Sequence, residues 1–345
     1  MKKSLYLGLI ICSALVYSGL AGSAKGAQRT RLSVGLFDKL HTFSQAQLQF
    51  TADNFDEVIV GQWEADIEKA SALKSCNPEI SIIGYLNSKH LFPGSARYEE
   101  CADNEEIFAH DVRGNRIKSL DFDQYLTDIH NPDWTVKTIQ WANRLPPAFD
   151  GVFLDVAQPI LVEFNYRYLP KGYNPSEHAI AMKELLYNVK HNTQGMVVFN
   201  GLEDGLEYDG YTDNVDGGLI EGFIFSRLRQ DADFERVNNH VNVLIESGKR
   251  GIIGAVSVKG CKENINSRMF ALACYFLGEN ELSIYNFVDI NNEFSNPLQY
   301  YPEYKIGLGS PVNYPNKMED LLDPDTNLLI RHCPINHCVM AERPE

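Results

Sequence analysis

The sequence predicts an α/β fold, a (β/α)8 TIM barrel with a small C-terminal extension. Three observations predict it. Short apolar runs alternate with helix-like segments eight times between Arg31 and Asn286, the pattern of parallel βα units. Eight is the closure number of such a barrel, and the span matches its usual size. No Gly-x-Gly-x-x-Gly follows any run, so the competing doubly wound open sheet lacks its usual dinucleotide signal.

Leu32–Asp38 reads as strand one, and Ser44 and Gln47 have capping-box spacing that opens a short helix. Phe55–Gln62 is strand two, an amphipathic helix covers Glu64–Ser75, and Glu79–Asn87 is strand three. A long insertion, Ser88–Ile129, carries Cys101 and the turn signal Asp111–Asn115. Lying between a strand and its helix, it is expected to cover one rim of the barrel mouth. Asn131-Pro132 supplies an N-cap and a first-turn proline for a helix with Trp134, Ile139, Ala142 and Leu145 near helical spacing.

Strand four is the run Val152-Phe-Leu between Asp150-Gly151 and Gln158-Pro159. It lacks a polar face, as a fully buried parallel strand does, and it ends on Asp155. After a Tyr- and Pro-rich loop, Phe164–Asn174, a helix from Pro175 to His191 is expected to bury Ile180, Leu185, Leu186 and Val189. Gly195–Gly201 is strand five, ending on Asn200; an acidic loop, Glu203–Asp216, leads into strand six, Gly217–Phe223, with Glu221 near its end. Helix Asp233–Ser247, strand seven Arg250–Ser257, helix Asn264–Leu277 and strand eight Glu281–Asn286 complete the series. The prolines of Tyr301–Glu345 exclude a long terminal helix, so that tail reads as a small extension with short strands, packed on a barrel of residues 31–300.

Lys2 and Lys3, an apolar stretch Leu5–Leu20 and small residues Ala21–Ala27 have the order of a secretory signal peptide, with cleavage expected after Ala24. A retained anchor is the alternative, but Ser13, Ser18 and Gly19 interrupt a run already short for a membrane span. The mature chain is therefore expected to be secreted or periplasmic, with no stable membrane insertion. The formal charge is −15 and becomes about −17 without the two leader lysines, which excludes nucleic acid and anionic membrane as natural partners. Removing Cys12 leaves Cys76, Cys101, Cys261, Cys274, Cys333 and Cys338. An oxidising compartment permits bridges; nearest-neighbour pairing is the simplest arrangement, with Cys333–Cys338 the best candidate. Cys274 lies in an apolar helical run and could equally be a buried free thiol.

The chemistry is expected at the strand ends, because barrel enzymes place it at the C-terminal mouth. Asp155 and Glu221 end strands four and six, one strand apart, so their side chains can face each other. Such a pair is the equipment for glycoside cleavage: one acid protonates the departing oxygen while the other attacks the anomeric carbon or activates water. Asp155 as a cap of the following helix is the plainer alternative. Neither acid has a cationic neighbour in sequence that would explain it as a salt bridge. The expected substrate-binding set is Asp38, Gln62, Tyr85, Asn87, Asp128, Asn200 and Asn286, most of them polar strand-end residues able to bond sugar hydroxyls. Trp63, Tyr85, Phe153 and Phe223 lie nearby, each more readily explained as core than as a sugar platform. No cofactor is expected. No histidine closes any of the eight strands, which weakens a zinc or iron reading, and no Gly-x-Ser-x-Gly supports a serine hydrolase.

Phe149-Asp-Gly-Val-Phe-Leu-Asp155, with Tyr125–Trp134 before it, resembles hypothetical glycosyl hydrolase family 15, as do Asn77–Asn87 and Ile306–Pro311. That family is similar in turn to the polygalactosaminidase and α-galactosidase superfamily of (β/α)8 barrels. The resemblance implies a nucleophile at the end of strand four and an acid/base at the end of strand six, here Asp155 and Glu221. It also implies carbohydrate as the partner, with retention at an α-linkage. Two departures stand out: Val156 replaces a second acid common in the family, and Arg331–Asn336 replaces an Arg, aromatic and Asn-Gly pattern in the tail. A barrel that binds carbohydrate without cleaving it is the alternative.

Overall fold

A computed structural model describes residues 29–36, 40–61, 63–226, 232–292, 297–305, 314–325, 328–333 and 337–342. Eight strands form one sheet in sequence order: β1 (Ser33–Leu36), β2 (Glu57–Val60), β3 (Ser81–Asn87), β4 (Gly151–Asp155), β5 (Met196–Asn200), β6 (Gly217–Glu221), β7 (Ile253–Gly260) and β8 (Ile284–Asp289). Leu32, just before β1, bridges Tyr285 of β8 in parallel, so the first strand meets the last. The fold is a (β/α)8 barrel. The helices are α1 (Gln45–Asn54), α2 (Trp63–Cys76), α3 (Pro132–Ala142), α4 (Pro175–Asn192), α5 (Phe234–Arg250) and α6 (Ile265–Gly278). Between β5 and β6 stands a single turn, Leu202–Gly205, where the sequence is acidic. None of the helices among the described residues is long and apolar enough to cross a membrane.

Local chemistry starts these helices as expected. Ser44 Oγ accepts from Gln47 N while Gln47 Oε1 accepts from Ser44 N, the reciprocal capping box. Asn131 caps α3 by accepting from Asp133 N, with Pro132 in the first turn. Asp233 and Asn264 cap α5 and α6 in the same way.

Two compact units divide the chain: Gly35–Ala52 with Glu57–Gly218, and the remainder, from Leu219 onward with the N-terminal stretch and Asp53–Asp56. In the first unit β2, β3, β4 and β5 pair in parallel, and Ile82, Ile83, Val152, Leu154, Val197 and Phe199 are buried between them and their helices. The 88–129 insertion builds a small core of its own from Ala109, Ile117 and Leu126, closed by Leu161 and Tyr166 of the loop after β4. Its tip is the expected hairpin turn. Asp111 O accepts from Gly114 N, and Asp111 Oδ1 accepts from the Arg113 and Asn115 amides. Ile180 departs from expectation: it is 58% exposed, because α4 buries the face of His178, Met182, Leu185, Leu186 and Val189, and residue 180 points away from that stripe.

In the second unit β7 and β8 pair from Ile284↔Ala255 to Asp289↔Gly260. Both strands therefore run three residues past the ends read from sequence, because the ladder continues beyond the apolar run. The tail forms a hairpin of β9 (Leu328–Cys333) and β10 (His337–Glu342). It is anchored by the buried Arg331, whose guanidinium donates to Phe276 O and Glu279 O at the end of α6. Nearest-neighbour cysteine pairing fails for two pairs: Cys76, Cys101, Cys261 and Cys274 are all free thiols, and Cys101 and Cys274 are buried. Cys274 has the buried-thiol alternative, with its pKa raised by burial. In the hairpin register Cys333 lies opposite His337 and Cys338 opposite His332.

Candidate active site

The end of β4 carries Asp155, and the sheet register supplies its neighbours. Asn87, the last residue of β3, is its Cα partner, and Ser88 N donates to Asp155 O. Asp155 Oδ2 accepts from Tyr85 Oη and Oδ1 from Asn200 Nδ2, each at 2.8 Å. The amide of Val156 also donates to Oδ1 at 2.8 Å. Val156 holds φ at 58°, a left-handed backbone that β-branched residues rarely adopt, at a strain of about 1–3 kcal/mol. Hydrogen bonds from these three neutral donors fix the orientation of the carboxylate. Asn87 supports this cradle: Nδ2 donates to Tyr85 Oη at 3.3 Å, and Oδ1 accepts from the Lys89 and His90 amides.

Behind the cradle lies a buried titratable cluster. Lys89 is 1% exposed and its Nζ makes no hydrogen bond among the described residues. Burial pushes its pKa down to about 7, against the opposing pull of Asp155 and Asp204. Burial, then the Lys89 charge, takes His90 down to about 3, and His90 Nε2 shares a 2.8 Å bond with Tyr166 Oη. His178 is lowered to about 3 by burial, then by Lys89 and His130. Asp204, in the turn after β5, is raised by burial and by Glu207, with Lys89 opposing.

Glu221 ends β6 in a different setting. Its side chain is 45% exposed and Oε1 accepts from Lys259 Nζ of β7 at 2.6 Å. A cationic neighbour is thus present in space, 38 residues away in sequence, contrary to the sequence expectation. The backbone beyond it is also strained: Ile224 has φ of 60°. It is braced by Arg236, which donates to Gly222 O and Ile224 O, and by His240 Nδ1, which accepts from Ile224 N.

The structure thus brings Tyr85, Asn87 and Asn200 onto Asp155. Asn286 sits mid-strand opposite Ser257, and β8 ends instead on Asp289. Asp128 closes a turn, its Oδ1 accepting from His130 N, and lines an open pocket of about 590 Å³ with Glu106, Phe108, His110 and His130. Asp38, Gln62, the 1–24 leader and Ile306–Pro311 lie outside the described residues. Trp63, Phe153 and Phe223 are buried core residues. Sequence reasoning missed Lys89, Asp204 and Lys259. Lys89 had one usable signal, a lysine two residues past a polar strand end, whereas Lys259 was hidden by ending strand seven too early.

A strand-end carboxylate held in a polar cradle on a (β/α)8 barrel is the arrangement of a barrel enzyme site. The chain belongs to hypothetical glycosyl hydrolase family 15, whose family model matches residues 74–332. Among solved structures, an α-galactosidase from Thermus thermophilus in complex with stachyose aligns with a TM-score of 0.50 at 11% identity, over 80% of this chain and 63% of that one. A GH36 α-galactosidase from Geobacillus stearothermophilus, in complex with raffinose, aligns at 0.49 and 10% identity, over 81% of this chain and 40% of that one. A maltogenic α-amylase from Thermotoga neapolitana aligns at 0.48 and 10%, over 79% and 70%. The chain therefore spans well under two thirds of the Geobacillus enzyme, and at these identities the likeness is one of fold. No curated protein matches the sequence.

Proposed function

We propose that this protein is an exported glycoside hydrolase that cleaves a poly- or oligosaccharide at an α-linkage with retention. Asp155 is the nucleophile and Glu221 the acid/base. One observation carries the reading: the Asp155 carboxylate, oriented by three neutral donors at a barrel strand end. In the first step an Asp155 oxygen bonds to the anomeric carbon as the glycosidic C–O bond breaks, and Glu221 protonates the leaving oxygen. In the second, Glu221 takes a proton from water, the water oxygen bonds to the same carbon, and Asp155 leaves as a carboxylate. The α-galactosidases of the same fold make α-galactosides the first substrates to try.

The test is a mechanism-based fluorosugar on the mature chain, after a screen of α-galactosides, galactosaminoglycans and α-glucans. A glycosyl adduct mapped by mass spectrometry to Asp155 is expected; an adduct on another residue would overturn the assignment. A second reading, a barrel that binds carbohydrate without turnover, is favoured by the Lys259 ammonium. It occupies Oε1 of Glu221 at 2.6 Å, an oxygen that a proton donor would present to the leaving group. Saturable sugar binding with no hydrolysis across the panel would select it.

A further inference from the structure

We propose that Lys89 is a positioning residue for Asp155: its ammonium, buried two residues past the strand-end partner of Asp155, makes that carboxylate a better leaving group in the second step. This rests on the hydrolase reading above. Lys89 follows Asn87, the register partner of Asp155, by two residues, and Ser88 between them donates to Asp155 O. Asn87 Oδ1 holds the Lys89 amide at 3.2 Å, and Lys89 O accepts from Thr127 N at 2.9 Å, so both ends of the insertion clamp the lysine backbone. An amine this buried without a hydrogen bond is costly, and such groups gather where function requires them. The charged and titratable groups around it come from four elements: Asp155 at the end of β4, Asp204 after β5, His178 on α4, and His90 beside it. Both histidines are neutral above acid pH, so burial, which disfavours the lysine charge, is opposed chiefly by the two carboxylates.

The consequence is a cation that switches near neutrality. Below about pH 7 Lys89 is an ammonium; above it, a neutral amine. On glycosylation Asp155 becomes a neutral ester, and its charge returns only when water releases the sugar. An ammonium alongside favours that returning anion, so release should slow as Lys89 loses its proton.

Two measurements test this. The first is the pH profile of kcat on a dinitrophenyl glycoside, whose leaving group needs no proton, so that glycosyl release limits turnover. Acting as base, Glu221 gives a limb that rises with pH; Lys89 adds a fall about one unit below its free-enzyme value, because kcat reads the glycosyl-enzyme, in which Asp155 is a neutral ester. Lys89→Met should remove that fall and lower kcat roughly tenfold on its acid side, while Lys89→Arg, if it folds, should keep the rate but not the fall. The second measurement needs neither activity nor a Lys89 variant. In a 13C-lysine-labelled protein, a lysine titrating near pH 7 rather than 10.5 identifies itself. Asp155→Asn should lower its midpoint by about one pH unit. A midpoint unmoved by Asp155→Asn, or a kcat profile unchanged in Lys89→Met, overturns the proposal and leaves the hydrolase reading standing. A wild type inert on every substrate, with the lysine midpoint still moved, sinks that reading while the Lys89–Asp155 coupling holds.

Discussion

At the end of β4 the carboxylate of Asp155 rests among neutral donors, a phenol, an amide side chain and a backbone N–H, with a buried lysine behind. At the end of β6 the carboxylate of Glu221 is half-exposed and bonded directly to an ammonium. Under the proposed mechanism these environments would separate the roles of the two acids. Neutral donors hold a carboxylate rigidly while leaving it able to attack. A half-exposed acid can exchange protons with solvent. Both strand ends are followed by a β-branched residue in the left-handed region, Val156 and Ile224, so backbone strain accompanies both acids.

Removing each acid breaks the comparison most directly. Asp155→Asn should cut turnover of every glycoside by about 10⁴-fold or more, since no glycosyl-enzyme bond can form. Comparable losses on activated and unactivated substrates are expected; an active Asp155→Asn enzyme would end the comparison. Glu221→Gln should cost about 10²–10⁴-fold on an alkyl glycoside, yet leave adduct formation from a dinitrophenyl glycoside largely intact. Equal losses on both substrates would show that Glu221 is not the proton donor.

The cradle itself is tested by Tyr85→Phe. Losing a bond to a charged group should cost about 1.5–3 kcal/mol of transition-state or ground-state order, read as a roughly 10- to 100-fold fall in kcat/KM. A wild-type kcat/KM would mean that Tyr85 orients nothing.

The smallest effect sharpens the contrast in strain. Val156 is partly exposed, so Val156→Gly should leave stability unchanged or raise it by about 1 kcal/mol as the left-handed backbone relaxes. Ile224 is fully buried, and Ile224→Gly should instead lower stability by roughly 2–5 kcal/mol, because lost packing outweighs relieved strain. Urea denaturation of the two variants gives the comparison; equal destabilisation would mean that the strain at Val156 is not relieved by glycine.

What the sequence by itself determined was local. Apolar runs bounded by turn residues located the eight strands, and the caps at Ser44 and Asn131 formed as read, because a cap is completed within three residues of where it starts. Asp155 was legible for the same reason: an acid closing a buried strand announces itself in five residues. Tertiary structure decided everything that depends on register across the sheet or on which face of a helix is covered. The Lys259 partner of Glu221, the true ends of β7 and β8, the exposure of Ile180 and the free thiols of Cys76 and Cys101 all belong to that class. So does the burial of Lys89, which exists only where β3, β4, the β5 turn and α4 converge. Desolvation is a property of that convergence, and no window of sequence around residue 89 contains it.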